Sequence, residues 1–192
     1  MQAAMTLFLR NGYQGTSMDE IAALAAVSKQ TVYKNFADKE QLFSDIILGV
    51  ATTAKTFVQS VTETLRDTQD LETDLHELSK QYIKAVMRPQ VLQMRRLLIG
   101  ESARFPELAR TYYERAPERV LTALAPELQR LTDRDLLRVA DPLLAAKHFA
   151  FLVLGPALDK AMFYGDDIGF TTAELEHLAA DGVRVFLAAY AR

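Results

Sequence analysis

Apolar side chains recur along this chain with the three- and four-residue spacing of amphipathic helices, which predicts an all-α fold. No stretch shows the apolar and polar alternation between turn signals that is typical of a β-strand or hairpin. Long helices are predicted near residues 39–66, 71–87, 90–104, 107–130, 142–164 and 172–190. Pro117 and Pro126 fall inside the fourth of these, where we expect a kink or a break. Gly155 and Pro156 should kink the penultimate helix.

The first 47 residues are divided into shorter predicted helices with recognisable caps. Gln2–Arg10 forms the first helix. Ser17 and Glu20 have the spacing of a capping box and open the second. Residues 28–35 form the third, and a further cap signal precedes the long fourth helix. The tight turn at residues 25–28 gives the second and third helices the spacing of a helix-turn-helix.

The third helix has two different faces. Val32 and Phe36 lie four residues apart and should face inward. The opposite face carries donor groups and an aromatic hydroxyl, which suit a major groove and its phosphates: Lys29, Gln30, Tyr33 and Lys34. Such a set on one helix alone is usually a solvated face. Three capped elements in helix-turn-helix order favour nucleic-acid binding instead.

Composition narrows the classes that remain. The chain has 192 residues, 49% of them apolar, which favours one medium domain or two small ones over a disordered chain. With no cysteine it forms no disulfide, thiolate metal site or cysteine nucleophile. The apolar runs are shorter than a bilayer span of about 20 residues, so we expect a cytoplasmic protein without a membrane partner. A net charge of −3 gives no argument for nucleic acid from bulk charge.

Enzymatic function is not predicted. The three histidines, at positions 76, 148 and 177, lie on different predicted helices without the spacing of a metal site. No glycine-rich phosphate loop or nucleophile elbow occurs. We therefore expect no catalytic residue, metal or cofactor. A helical interaction module, or a small-molecule-binding protein without sequence-specific DNA binding, is the alternative to a DNA-binding regulator.

Specific motifs carry a family resemblance. The segments are Gly12-Tyr13, Gly15-Thr16-Ser17-Met18, Ile21-Ala22, the continuous run 25–36 and Asp38-Lys39-Glu40-Gln41-Leu42-Phe43. Together they resemble the DNA-binding domain of the tetracycline-repressor (TetR/AcrR) family. Residues 96–109 and 113–115 more loosely resemble the AefR-like branch. The resemblance implies a helix-turn-helix domain at 1–47 and a helical ligand-binding and dimerisation domain at 48–192, with about nine helices in all.

The resemblance also implies a function. We expect a homodimeric repressor that binds a palindromic operator through helix 28–35 and is released by a small, largely apolar effector. In this interpretation, residues at the start of helix 28–35 contact base edges, and residues around them contact phosphates. The implied DNA-binding residues are Thr16, Ser17, Ser28, Lys29, Gln30, Thr31, Tyr33, Lys34 and Lys39.

Two features depart from the family pattern. Ala26 stands where the family usually has glycine, and if this turn residue needs a positive φ, alanine costs about 1 kcal/mol. The second departure is that the chain begins almost inside the first helix, whereas family members usually carry a basic arm before it. Residues 1–43 contain four basic and four acidic side chains. Without an arm we expect weaker and more salt-sensitive DNA binding.

The middle helices are the candidate sensor. An apolar stripe there, completed by aromatic residues and a few polar groups, could line an effector cavity, although such a stripe is more often ordinary core. The candidate ligand-binding residues are Phe57, Val61, Tyr82, Met94, Leu98, Glu101, Phe105, Tyr112 and Phe149.

The last two helices are the candidate dimer interface. The penultimate helix is apolar almost all round between residues 149 and 158, so it should be covered on two sides. Gly182 on the last helix would let a partner backbone approach closely, and core packing within one chain is the alternative. We expect a two-fold four-helix interface formed by Phe151, Leu154, Leu158, Leu175, Leu178, Gly182 and Phe186.

Overall fold

The computed structural model describes residues 1–165, 167 and 169–192, with the backbone alone at positions 50 and 53. Over these residues the chain is all-α, as predicted, and an isolated bridge between Leu137 and Ala191 is its one β-type contact. The helices are α1 (Gln2–Asn11), α2 (Met18–Leu24), α3 (Lys29–Asn35), α4 (Lys39–Ala51), α5 (Thr53–Leu65), α6 (Leu71–Val86), α7 (Pro89–Gly100), α8 (Pro106–Tyr113), α9 (Arg119–Asp133), α10 (Pro142–Tyr164) and α11 (Thr172–Tyr190). If α4–α5 and α8–α9 are each counted as one interrupted helix, the described chain has the nine helices that were predicted.

The N-terminal helices begin where their caps predict. The backbone N–H of Glu20 donates to the Ser17 hydroxyl at 3.2 Å, and the Ser17 N–H donates to the Glu20 carboxylate at 2.8 Å, which completes the capping box of α2. The Ser28 hydroxyl accepts the Thr31 N–H at 3.1 Å and caps α3. These bonds fix the start of both helices of the helix-turn-helix.

The turn between α2 and α3 contains a strained alanine. Ala26 has a φ of 54°, in the left-handed region, as the family pattern of glycine at this position implies. The N–H of Ala26 donates to the Ala23 carbonyl and that of Val27 to the Ala22 carbonyl, each at 3.1 Å. These bonds close the C-terminal end of α2 and hold Ala26 in its unfavourable conformation.

Replacing Ala26 with glycine should therefore stabilise the protein by up to about 1 kcal/mol, because glycine adopts a positive φ without steric cost. The matched control is Ala25→Gly, since Ala25 is an exposed neighbour with a right-handed backbone (φ −78°, ψ −5°) and should only lose stability. Chemical denaturation followed by circular dichroism measures both changes. Equal losses at the two positions would contradict the strain at Ala26.

The helix predicted over residues 39–66 is interrupted in the structure. Helix α4 ends at Ala51 and α5 starts at Thr53. Both the N–H and the hydroxyl of Thr52 donate to the Gly49 carbonyl, at 3.2 and 2.6 Å. The backbone bond therefore spans three residues here, in place of the four residues of an α-helix. No proline marks this position, which is why the sequence predicts a continuous helix.

The helix predicted over 107–130 is irregular at one of its two prolines. A π-helical turn at Glu114–Glu118 contains Pro117 and joins α8 to α9, which confirms the expected disturbance. Pro126 lies inside α9, which runs without a break through it. Helix α10 likewise continues through Pro156.

The C-terminal bundle packs α10 and α11 closely against each other and against α6 and α9. Gly182 of α11 is buried, and a Cβ atom added to it would lie 2.6 Å from the Leu152 carbonyl oxygen of α10. Gly182 therefore permits a close approach within one chain, which was the alternative to the predicted approach by a partner.

The head formed by α1–α4 shares its core with the rest of the chain. Its cluster includes Phe8 and Phe43 together with Met94, Leu98 and Phe105 from α7 and the segment after it. A second cluster fills the bundle of α5, α6 and α9–α11. The predicted regions 1–47 and 48–192 therefore meet through a common apolar core, which gives a physical connection between them.

Helix α10 has 23 residues and a window of mean hydropathy 1.2, so by length and composition alone it would suit a membrane span. This corrects the expectation that every apolar run is too short. Its residues Phe149, Val153, Ala157 and Ala161 are buried against the neighbouring helices, as in the central helix of a bundle.

Candidate nucleic-acid interface and effector cavity

Helix α3 presents the face that its sequence predicts. Val32 is buried and Phe36 is half-buried, and both turn towards the head. The predicted contact residues on the other side of the helix are exposed, and Tyr33 keeps 46% of its surface accessible although it is aromatic. The exposed predicted residues are Ser17, Ser28, Lys29, Gln30, Thr31, Tyr33 and Lys34.

Lys29 has an acidic partner on the neighbouring helix. Its ammonium lies 2.8 Å from a carboxylate oxygen of Asp19 on α2 and donates a hydrogen bond to that group. This hydrogen bond, and then the charge of Asp19, raise the pKa of Lys29, so the side chain stays protonated. Both side chains are more than half exposed, and such a pair contributes little to stability. Lys29 can therefore exchange Asp19 for a base or phosphate at small cost.

Two predicted phosphate contacts are placed differently. Thr16 is only 2% exposed, and its hydroxyl donates to the Gly12 carbonyl at 2.8 Å. The Lys39 ammonium donates to the carbonyl oxygens of Tyr13 and Thr16, at 2.9 and 2.7 Å, and lies 4.4 Å from the centre of the Tyr13 ring. In this structure both side chains tie the loop after α1 to the start of α4 and are not free donors.

A cavity of about 560 Å³ opens between α7, α8, the π-helical turn and α10. This volume lies in the range of small-molecule sites. Among the described lining residues most are apolar, and the others are one arginine, one serine, three tyrosines and one aspartate. The lining residues that define it are Tyr82, Arg95, Leu98, Ile99, Ser102, Tyr112, Tyr113, Pro117, Leu121, Phe151, Leu154, Leu158, Asp159 and Met162, with Ala109, Ala150 and Gly155.

Three of the nine candidate ligand residues line this cavity: Tyr82, Leu98 and Tyr112. Phe57 lies in a smaller neighbouring cavity of about 50 Å³, which Tyr82 and Tyr112 also line. The other candidates lie elsewhere. Val61 and Phe149 are buried in the bundle core, and Met94 and Phe105 belong to the head cluster. Glu101 lies beside Arg104, 3.7 Å away.

The head cluster holds Phe105 in an aromatic group. Its ring centre is 4.7 Å from that of Tyr13, edge to face, and 5.5 Å from that of Phe43. Phe105 thus connects the segment before α8 with the loop after α1 and with α4. The sequence places it on an apolar stripe but does not say which neighbour that stripe meets.

The candidate dimer residues divide into two groups. Leu154, Gly182 and Phe186 are buried within the chain, so they pack inside one protomer. Leu158, Leu175 and Leu178 are half-buried, and Phe151 is 72% exposed. Helix α10 also exposes large apolar side chains near its two ends that were not among the candidates: Leu143, Leu144, Phe163 and Tyr164.

Sequence reasoning also missed Arg95 and Pro117. Arg95 is one of many charged residues in the chain, and only the packing of α7 against α10 shows that it borders the cavity. Pro117 was recognised only as a helix breaker. Because π-helical turns are frequent at functional sites, the predicted break was the available signal that Pro117 borders such a site. A helix-turn-helix head followed by a helical bundle that encloses a cavity is the architecture of a class of helix-turn-helix transcription regulators.

Comparison with known proteins identifies the family. The model of the tetR family of bacterial regulatory proteins matches residues 1–46, and that of the AefR-like transcriptional repressor C-terminal domain matches residues 73–192. A solved TetR-family transcriptional regulator from Mesorhizobium loti MAFF303099 is 41% identical, covers 100% of this chain and 94% of its own, and has a TM-score of 0.90. The chain belongs to the TetR family of transcriptional regulators, which bind DNA and are not enzymes.

Two further relatives are informative. The solved structure of the flavonoid-responsive regulator FrrA is 32% identical, covers 99% of this chain and 94% of its own, and has a TM-score of 0.70. The uncharacterized HTH-type transcriptional regulator YhgD of Bacillus subtilis (strain 168) is 34% identical over 76 residues. That match spans 40% of this chain and 38% of the relative.

Proposed function

We propose that the protein is a cytoplasmic, homodimeric repressor that binds a palindromic operator through α3 and is released by a small, largely apolar effector in the cavity. The observation that carries the proposal is the exposed α3 face, with Gln30, Tyr33 and Lys34 pointing away from a well-packed head. Gln30 is suited to reading a base edge, and Lys34 to a phosphate. The apolar surface of α10 supports a dimer, which a two-fold operator requires.

Release by an effector follows from linkage. A ligand weakens DNA binding only to the extent that it prefers the conformation in which the two α3 helices of the dimer are wrongly spaced for the operator. Pro117 lines the cavity, and the π-helical turn that contains it contacts α4 and α5. This contact gives the ligand a route to α4, which follows α3. FrrA is named for its response to flavonoids, and that name supports an aromatic effector here.

The test is an electrophoretic mobility shift with the DNA upstream of the gene for this protein. Gln30→Ala should relax discrimination at one base pair by about 1–3 kcal/mol, because a base contact is lost. Lys34→Ala should weaken binding to specific and scrambled DNA alike and reduce the salt slope by about one. Gln59→Ala and Lys55→Ala are matched controls, since both residues are exposed on α5, away from α3.

The outcome separates the candidate functions. Unchanged affinity in both α3 variants would overturn the assignment of this face. Absence of any shift with the parent protein would favour the alternative, a small-molecule-binding protein without sequence-specific DNA recognition.

A further inference from the structure

Among the described residues that border the cavity, Arg95 is the basic one. It lies on α7 and lines both the large cavity and the smaller one beside it. Its Nε atom is buried and has no hydrogen-bond partner among the described residues. The neighbouring Arg96, in contrast, donates to the carbonyl oxygens of Ala161 and Gly165. A buried guanidinium N–H without an acceptor is costly, so the position of Arg95 calls for a ligand acceptor.

The groups around Arg95 add donors. Tyr82 is 5% exposed, and burial raises its pKa to about 12, with a smaller opposing effect of Arg95. The Tyr82 hydroxyl therefore keeps its proton at neutral pH and can donate it in a hydrogen bond. Ser102 and Tyr112 bring two more hydroxyls to the wall. One acidic side chain of the described lining, Asp159, lies on the exposed side of α10 and disfavours a second negative charge.

The rest of the wall defines the body of the ligand. Leu98, Phe151, Leu158 and Met162 provide apolar and aromatic surface from both α7 and α10. Such a wall suits a hydrophobic body of substantial size, because each apolar group removed from water adds to affinity. Different parts of one cavity can thus bind the polar end and the apolar body of a ligand.

We propose that the effector is an amphipathic monocarboxylic acid whose carboxylate pairs with the Arg95 guanidinium and whose apolar body lies between α7 and α10. This inference rests on the proposed function, since it specifies the ligand class of the same cavity. Arginine binds carboxylates through paired, charge-assisted hydrogen bonds, and its Nε can supply one of the two donors. Binding would satisfy the N–H group that the free protein leaves without a partner.

Two probes of nearly equal shape test the charge requirement: biphenyl-4-carboxylate and biphenyl-4-carboxamide. Isothermal titration calorimetry without DNA should show at least about tenfold tighter binding of the carboxylate, as expected for a charge-assisted pair. In Arg95→Gln this preference should fall to about one, because the amide side chain has no charge. Arg95→Lys should restore part of it, because the charge returns without the paired donors. Arg110→Gln, on the exposed side of α8, is the control and should keep the full preference.

Circular dichroism of each variant confirms that it is folded. The proposal is overturned if the parent protein binds both probes equally, if it binds neither at millimolar concentration, or if Arg95→Gln keeps the preference. DNA binding is measured separately by mobility shift. Failure of the parent protein to shift any DNA would count against the repressor, whereas loss of the carboxylate preference alone would count against the ligand class.

Discussion

Gly182→Ala should lower the free energy of unfolding by about 2 kcal/mol, and Gly182→Leu should lower it by more than about 3 kcal/mol. The reason is the distance to backbone atoms of α10. A Cβ at position 182 would lie 2.6 Å from the carbonyl oxygen and 2.8 Å from the carbonyl carbon of Leu152, and 2.9 Å from the Val153 nitrogen. These atoms belong to a helix and cannot rotate away, so α10 and α11 would have to separate along their shared interface.

Gly155→Ala is the matched control for this substitution. Gly155 also lies in a long helix, but a Cβ added there meets no atom within 4 Å apart from its chain neighbours and its own helix backbone. Alanine is the better helix former, but the ring of Pro156 crowds a Cβ on the preceding residue, so stability should change by less than about 0.5 kcal/mol. Guanidinium denaturation at one fixed protein concentration measures both variants, because the stability of the proposed dimer would depend on concentration. If Gly182→Ala were as stable as Gly155→Ala, the close approach of α10 and α11 would be refuted.

Size-exclusion chromatography and circular dichroism of Gly182→Ala separate two interpretations of Gly182 that the sequence leaves open. A small residue on an apolar helix predicts a close neighbour but does not name it. If a partner protomer approached Gly182, alanine would weaken dimerisation and leave the fold of each protomer intact. The structure gives the close contact to Leu152 of the same chain, so we expect loss of secondary structure together with any loss of dimer.

Local features of this fold could be predicted from sequence because short-range interactions determine them. The cap bonds of Ser17 and Ser28 join residues three positions apart, and the strain at Ala26 arises within one turn. The exposed face of α3 follows from the helical period once Val32 is placed in the core. These predictions need no knowledge of which helix packs against which.

Features that depend on distant neighbours could not be predicted in the same way. Lys39 was expected to bind phosphate, but its ammonium finds carbonyl acceptors 23 and 26 residues earlier in the chain. Arg95 borders the cavity only because α7 packs beside α10. In both cases the deciding partner lies outside the pattern of the element itself. The break at Thr52 is a local feature, since its two bonds to the Gly49 carbonyl span only three residues, but no proline marks it in the sequence.

Phe105→Ala should lower the free energy of unfolding by about 3–5 kcal/mol, because a buried ring is removed from a well-packed cluster and leaves a cavity. Phe105 is 8% exposed and contacts the rings of Tyr13 and Phe43. Leu24→Ala is the control, since truncating an apolar side chain that is 53% exposed should alter stability by less than about 0.5 kcal/mol. Chemical denaturation provides the comparison, and equal effects at the two positions would refute the packing role of Phe105.

The location of Phe105 also predicts which part of the chain loosens. It comes from the segment before α8, yet its aromatic partners belong to the head, and Tyr13 in turn accepts a hydrogen bond from Lys39 at the start of α4. Amide hydrogen exchange of Phe105→Ala should therefore show the largest loss of protection in α1 and α4, and a smaller loss in α6, α10 and α11. Unchanged protection in α1 and α4 would show that Phe105 does not connect the two parts. A loss centred on those helices would show that this ring couples the segment before α8 to the head.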